Sequence, residues 1–163
     1  MTRLAAFAMS LALSTGVASA AEPLGDWRVD DGTAHIRIAN CSGTLWGVIS
    51  WEKTPGIDSE NPDPAKRNRP TLGMPILLAM KPANATKWEG EVYNAKNGKI
   101  YKASITALSN DNLKIEGCIL GGIFCGGEKW TKVATPVEPS NLSGGVCSRL
   151  SGVPGFSHQG RLN

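Results

Sequence analysis

The sequence predicts an all-β fold: a single antiparallel up-and-down β-barrel of about eight strands, with a long proline-rich loop and a flexible C-terminal tail. Three observations predict it. Apolar and polar residues alternate with a period of two in one segment after another. Turn-forming residues separate those segments about every ten positions. After the first twenty residues, no stretch keeps an i, i+3, i+4, i+7 apolar pattern for three helical turns. Many short strands so spaced form a sandwich or a barrel. A barrel removes sheet edges, and about eight strands can enclose one small ligand.

The chain opens with MTRLAAFAMSLALSTGVASA. Arg3 is a basic start, Leu4 to Leu13 a short apolar core, and Ala18-Ser19-Ala20 a small-residue cleavage site. Residues 1–20 read as a signal peptide, too short in its apolar part to span a bilayer. No later segment is long and apolar enough to cross a membrane. The first cysteine, Cys41, lies well past the cleavage site, so no lipid anchor is expected. The expected location is the periplasm or the exterior. What remains suits one barrel domain over 21–133. The net charge of +3 is mild, and only Lys66, Arg67 and Arg69 cluster, flanked by acids, which argues against nucleic acid.

The first strand is read in "DWRV". In "HIRIA", Ile36 and Ile38 oppose His35 and Arg37. "TLWGVISW" places Leu45, Gly47, Ile49 and Trp51 on one face and Trp46 on the other. "PILLAM" follows the proline-rich loop. In "WEGEV", Trp88, Gly90 and Val92 oppose two glutamates. In "YKASITAL", Tyr101, Ala103, Ile105 and Ala107 share a face. "LKIEG" and "EKWTKV" complete the set. Asp30-Asp31-Gly32, Cys41-Ser42-Gly43, Asn97-Gly98 and Asn110-Asp111-Asn112 supply turns. Past Val133, residues 134–163 are rich in Pro, Gly and Ser without a period, and read as a flexible tail pinned at Cys147 if that residue is bonded.

Export permits disulfides. Cys118 and Cys125 lie in "GCILGGIFCGG", whose glycines let the chain fold back, and they are the expected pair. Cys41 and Cys147 then pair by elimination from three connectivities. A zinc site does not fit, because the spacing is wrong and His35 and His158 stand far from any C-x-x-C pattern.

In "NPDPAKRNRPTLG", Asp63 is a good N-cap, Pro64 a good first helical residue, and Pro70 stops a helix at Arg69. One helical turn over Pro64 to Asn68 is expected. Asp58 or Asp63 pairs with Arg67 or Arg69, and if exposed such a pair contributes about 0–1 kcal/mol.

Five segments in order resemble the bacterial family known as domain of unknown function 2147. They are Gly25-x-Trp27, "LWGVISW", "NPDPAKRNRPTLGMPIL", "WEGEVYNAKNGKIYKA" and "GCILGGIFCGGEKWTK", and the resemblance covers Leu24 to about Val133. It implies a small exported barrel similar to lipocalins and fatty-acid-binding proteins, and no particular reaction. It marks Gly25, Trp27, Asn61, Pro62, Arg69, Pro70, Gly73, Trp130 and Lys132 as a structural signature. It also implies that a cation in the last strand covers Trp27. Lys132 stands where the family usually carries arginine, which keeps the charge and loses the planar stack. Relatives often carry cysteine at the position of Trp46, and its absence here favours the Cys41–Cys147 bond.

For catalysis the sequence offers little. His35 alternates outward with no nucleophile beside it, Asp30 and Asp31 form a turn, and no P-loop, nucleophile elbow or HExxH is present. No cofactor is expected and no enzyme, the remaining alternative being a hydrolase built by grafting loops on the barrel. Ligand binding has more support: Trp51, Trp88 and Tyr101 offer apolar walls with polar tips, while Gly47, Gly90, Ala103 and Ala107 leave volume for a small apolar or amphipathic molecule. The same alternation could instead pack the barrel solid. Arg67 and Arg69 have two readings: they meet an anionic head group at the barrel mouth, or they pair within a loop that plugs it, the commoner fate of an ordered loop. A third function class, docking to another envelope protein, would use exposed aromatics, with Trp46 and Phe156 as candidates.

Overall fold

The computed structural model describes residues 22–119, 124–134 and 145–150. The expected signal peptide, Phe156 and His158 lie outside them. Eight strands follow one another around a closed barrel: β1 (Gly25–Arg28), β2 (Ala34–Cys41), β3 (Thr44–Glu52), β4 (Pro75–Pro82), β5 (Lys87–Asn94), β6 (Lys99–Ser109), β7 (Asn112–Ile119) and β8 (Phe124–Lys132). Every neighbour is antiparallel, and β1 closes on β8 through Trp27↔Lys132 and Arg28↔Thr131. The expected turn residues do their work. Ser42 and Gly43, with φ of 56° and 84°, make the tight turn between β2 and β3, and Gly98 takes a φ of 68° between β5 and β6.

Up-and-down winding sorts the connections. The β2–β3, β4–β5 and β6–β7 turns and both barrel termini lie at one end. The β1–β2, β3–β4, β5–β6 and β7–β8 connections lie at the other. The first end is closed. Trp27, Ile38, Leu77, Met80, Ile105 and Leu113 are fully buried there. The indole of Trp27 donates to Pro23 O at 2.9 Å. Lys132 Nζ stands 4.4 Å from the Trp27 ring centroid and donates to Leu24 O. The cation expected over Trp27 is therefore in place, and burial pushes its pKa down. Gly25, at φ 108°, lies against it: a Cβ there would meet Lys132 Nζ at 3.0 Å.

Both disulfides form, Cys118–Cys125 across the β7–β8 pair and Cys41–Cys147 over a separation of 106 residues. The second carries a finding that period alone did not announce. Residues 145–149 of the expected flexible tail form a helical turn. Val146 and Leu150 on it are buried against Ala39, Cys41, Trp46 and Val48, on the outer face of β2 and β3. Strand β3 is therefore buried on both faces, and Trp46, 2% exposed, is not a docking aromatic. A Cβ on Gly73, whose φ is 83°, would meet the Arg149 guanidinium at 2.4 Å, so the turn also abuts the end of the proline-rich loop. Residues 135–144 and 151–163 lie outside the description.

Candidate ligand-binding site

The second end of the barrel opens into a cavity of about 990 Å³. Val29, Ile36, Ile49, Ile76, Val92, Ile115 and Trp130 supply its apolar wall, drawn from six strands and the β1–β2 turn. It reaches solvent between the connections, where Ile57 and Ile119 are exposed. The volume has an identifiable origin. On the inner face of β7 and β8 the paired residues run Leu113↔Trp130, Ile115↔Glu128, Gly117↔Gly126 toward the mouth. Among the described residues a Cβ on Gly117 would meet only Val92 Cγ1, at 3.6 Å, and one on Gly126 would meet nothing within 4 Å.

Gly47 and Gly90 behave oppositely to the sequence expectation. A Cβ on Gly47 would lie 2.7 Å from Leu77 Cδ1, and one on Gly90 would lie 2.7 Å from both Leu78 O and Met80 Sδ. These glycines admit neighbours into the closed end; they leave no space. Ala103 and Ala107 are buried in the same core.

The sequence-predicted ligand residues separate. Tyr101 lines the cavity, its hydroxyl accepting from Asn97 Nδ2 at 2.8 Å. Trp51 does not. The β2–β3 register shifts between His35 and Ile36, so Ile36 pairs with Ile49 while His35 pairs with Trp51. The extra residue, Ser50, turns its hydroxyl to Asp26 Oδ1 at 2.7 Å. A bulge reverses the alternation beyond it. Trp51 therefore lies outside at 43% exposure, against the His35 ring with centroids 4.6 Å apart. Glu52 takes the inward place at the cavity. Trp88 is half-buried, pairs with Ile105 and packs on the closed-end core away from the cavity wall.

Arg67 and Arg69 are likewise not among the lining residues, and both are engaged within their own loop. Asp58 is fully buried. Arg69 reaches it through Nε at 2.9 Å and Nη2 at 2.8 Å. Tyr93 on β5 donates its hydroxyl to Asp58 at 2.6 Å, and Asn61 Nδ2 donates to it at 2.6 Å. Burial opposes ionisation of Asp58, but these donors outweigh it and hold the carboxyl below its ordinary pKa. The Asp58–Arg69 pair is thus a buried one, beyond the exposed-pair scale expected from sequence. Arg67 Nε donates to Asn61 O at 2.8 Å. The expected helical turn is a 3-10 turn, Pro64–Lys66, capped by Asp63, with Asp63 paired to Lys66 at 3.1 Å. Ile57 and Pro70 make a bridge that folds the loop back on itself. Gly98 lies so close beneath its tip that a Cβ would collide with Glu60 O at 1.9 Å. The loop is a braced arch on the rim of the cavity, to which it contributes Gly56, Ile57, Ser59 and Glu60.

Two side chains at the site escaped the sequence reading. Tyr93, opposite Ile100 on β6, anchors the arch from the strand beneath and borders the cavity. Glu128 stands on the inner face of β8, and its Oε1 accepts from the indole N–H of buried Trp130. Counting back by twos from Lys132 would have turned both Trp130 and Glu128 inward. Among the described residues no group of three His, Cys, Asp or Glu could hold a metal ion, and no helix is long and apolar enough to cross a membrane.

The model of a family described as "uncharacterized protein conserved in bacteria (DUF2147)" matches residues 25–132, from the first residue of β1 to the last of β8. The chain belongs to this family. The resemblance read from five segments is therefore a membership, and the DUF2147 match ends where the tail begins. No curated protein matches the chain. Among solved structures the chain is similar to protein HP1028 from Helicobacter pylori, described as belonging to the lipocalin family. The likeness has 19% identity, a TM-score of 0.67, and coverage of 79% of this chain and 98% of that one. It shows a lipocalin-like fold for this DUF2147 member.

Proposed function

We propose that this is an exported protein that binds a small apolar or amphipathic molecule in the open half of its barrel and catalyses no reaction. The observation that carries the reading is the cavity of about 990 Å³ with its apolar wall. That volume is at the upper end of what ligand sites of about 300–1,000 Å³ offer. The lipocalin-like fold of the neighbour supports binding rather than catalysis. The leader-like first twenty residues and the two disulfides support export to the periplasm or beyond.

Tyr101, Val92, Gly117 and Trp130 are the proposed contact residues. Native mass spectrometry of the protein isolated from its own periplasm without detergent tests the reading. The expected spectrum is a chain beginning at Ala21, lacking four hydrogens for two disulfides, with an adduct that leaves on denaturation. Gly117→Leu places a side chain in the cavity next to Val92 and should strip the adduct while the fold persists. A bare mass for the natural chain, together with no uptake of added apolar probes, would overturn the proposal.

A further inference from the structure

We infer that the ligand of this cavity is an amphiphile with a cationic head, an alkylammonium-type group, and that Glu128 holds it. The inference rests on the binding function proposed above and concerns the chemistry of the same site.

Glu128 stands on the inner face of β8, opposite Ile115 and next to buried Trp130, solvent-accessible where the cavity opens. Among the described residues its hydrogen bond comes from the Trp130 indole N–H, which orients the carboxylate through Oε1. A carboxylate accepts about four hydrogen bonds, so an ammonium donor finds capacity there. No ion pair among the described residues reaches Glu128.

The charge around it has the same sign. Asp31, Glu52 and Glu60 line the cavity with Glu128, against Lys53 and Lys96. A concave, apolar-walled site focuses such a field. The two arginines that would serve an anionic head are turned away: Arg69 is spent on Asp58 and Arg67 on Asn61 O. A fatty-acid carboxylate entering this cavity would meet more acids than bases. A protonated amine would gain a charge-assisted bond at Glu128 while its chain covers the apolar wall.

Three ten-carbon probes separate the head from the chain: decylammonium, decan-1-ol and decanoate, each titrated below its micelle concentration into the disulfide-intact mature protein at physiological ionic strength, followed by tryptophan fluorescence. Decylammonium should bind about tenfold tighter than decanol, a gain of the size of one charge-assisted bond, and decanoate should bind weakest. In Glu128→Gln the ammonium should fall to within about threefold of decanol. Unchanged decanol affinity in that variant reports an intact barrel, and Glu128→Asp should retain the ammonium preference. Decanoate matching decylammonium, or a preference that survives Glu128→Gln, overturns the assignment of the head while leaving the cavity reading intact. Failure of all three probes to bind overturns both.

Discussion

At the closed end of the barrel Leu77, Met80, Ile105 and Leu113 fill the interior, and the backbone at Gly47 and Gly90 comes so near its neighbours that a methyl group would not fit. At the open end Gly117 faces Val92 across ordinary contact distance, Gly126 faces none of the described residues, and the interior widens into the cavity. The same alternation runs through both ends on the same strands. What a small inward residue means is set by what crosses to meet it. Gly47 is small so that Leu77 can come in, whereas at Gly117 a neighbour, Val92, comes no nearer than ordinary contact. An end packed to crystal-like density stabilises the fold, and the other end can then be spared for a ligand.

The largest expected effect comes from truncating one side chain in each half. Leu77→Ala removes a fully buried side chain that no neighbour can replace, and should cost about 3–4 kcal/mol. Val92→Ala enlarges a space that already exists and should cost about 1 kcal/mol, the transfer term without a new cavity. Urea titration of the two variants measures the contrast. Equal losses would mean that the two ends are packed alike.

The arch on the rim gives the next effect. Arg69→Ala leaves the fully buried Asp58 with only Tyr93 and Asn61, and should cost about 3 kcal/mol, as when one partner of a buried pair is removed. Its pH dependence has a definite sign. The folded pKa of Asp58 lies below the unfolded value near 3.9, so its contribution is complete above about pH 4 and is lost as pH falls through the lowered value. Asp31, held by Thr33, and Asp63, held by Lys66, are lowered too and share that acid limb. Acid unfolding of Asp58→Asn should therefore be shallower than that of the natural chain without being flat. An unchanged acid limb would show that the arch does not depend on the charge.

How much of this was legible beforehand divides along the same line. The eight strands, their turns, the Cys118–Cys125 bond and the short helical turn in the loop follow from local chemistry: alternation, glycines and caps; Cys41–Cys147 came by elimination, and the cation over Trp27 was implied by the family resemblance. The site was read less well because its geometry is non-local. A single inserted residue, Ser50, carries Trp51 from inside to outside, and no pattern in "GVISWEK" marks it. Trp46 and Val48 look solvent-facing until Val146 and Leu150 arrive from about a hundred residues away, brought by Cys147. Arg67 and Arg69 look available until Asn61 and Asp58 claim them. Tyr101 alone of the five predicted ligand residues lines the cavity: the β5–β6 pairing runs unbroken from Lys87↔Thr106 to Asn94↔Lys99, so the alternation holds, and Tyr101 stands toward its open end while Trp88 stands toward the closed one.

The smallest effect tests the seam that makes the closed end closed. Strands β1 and β8 pair at two positions only, where β5 and β6 pair at eight. The seam therefore leans on Lys132, which bridges the Trp27 ring and Leu24 O. A lysine there is a point charge whose burial works against its own ionisation. Guanidinium is less strongly hydrated and stacks flat on an indole, so Lys132→Arg should raise stability by about 0.5 kcal/mol, seen as a slightly higher Tm. Lys132→Met keeps the apolar stem and removes both the charge and the bond to Leu24 O. It should lower Tm and speed hydrogen exchange at the β1 amides, with little change at β5. Because the folded pKa of Lys132 lies below its unfolded value, the natural chain should gain stability as pH rises through that folded value toward about 10.4, and Lys132→Met should lose this alkaline gain. Exchange that accelerates equally around the barrel would mean that closure is a property of the whole sheet and that the seam has no stability of its own.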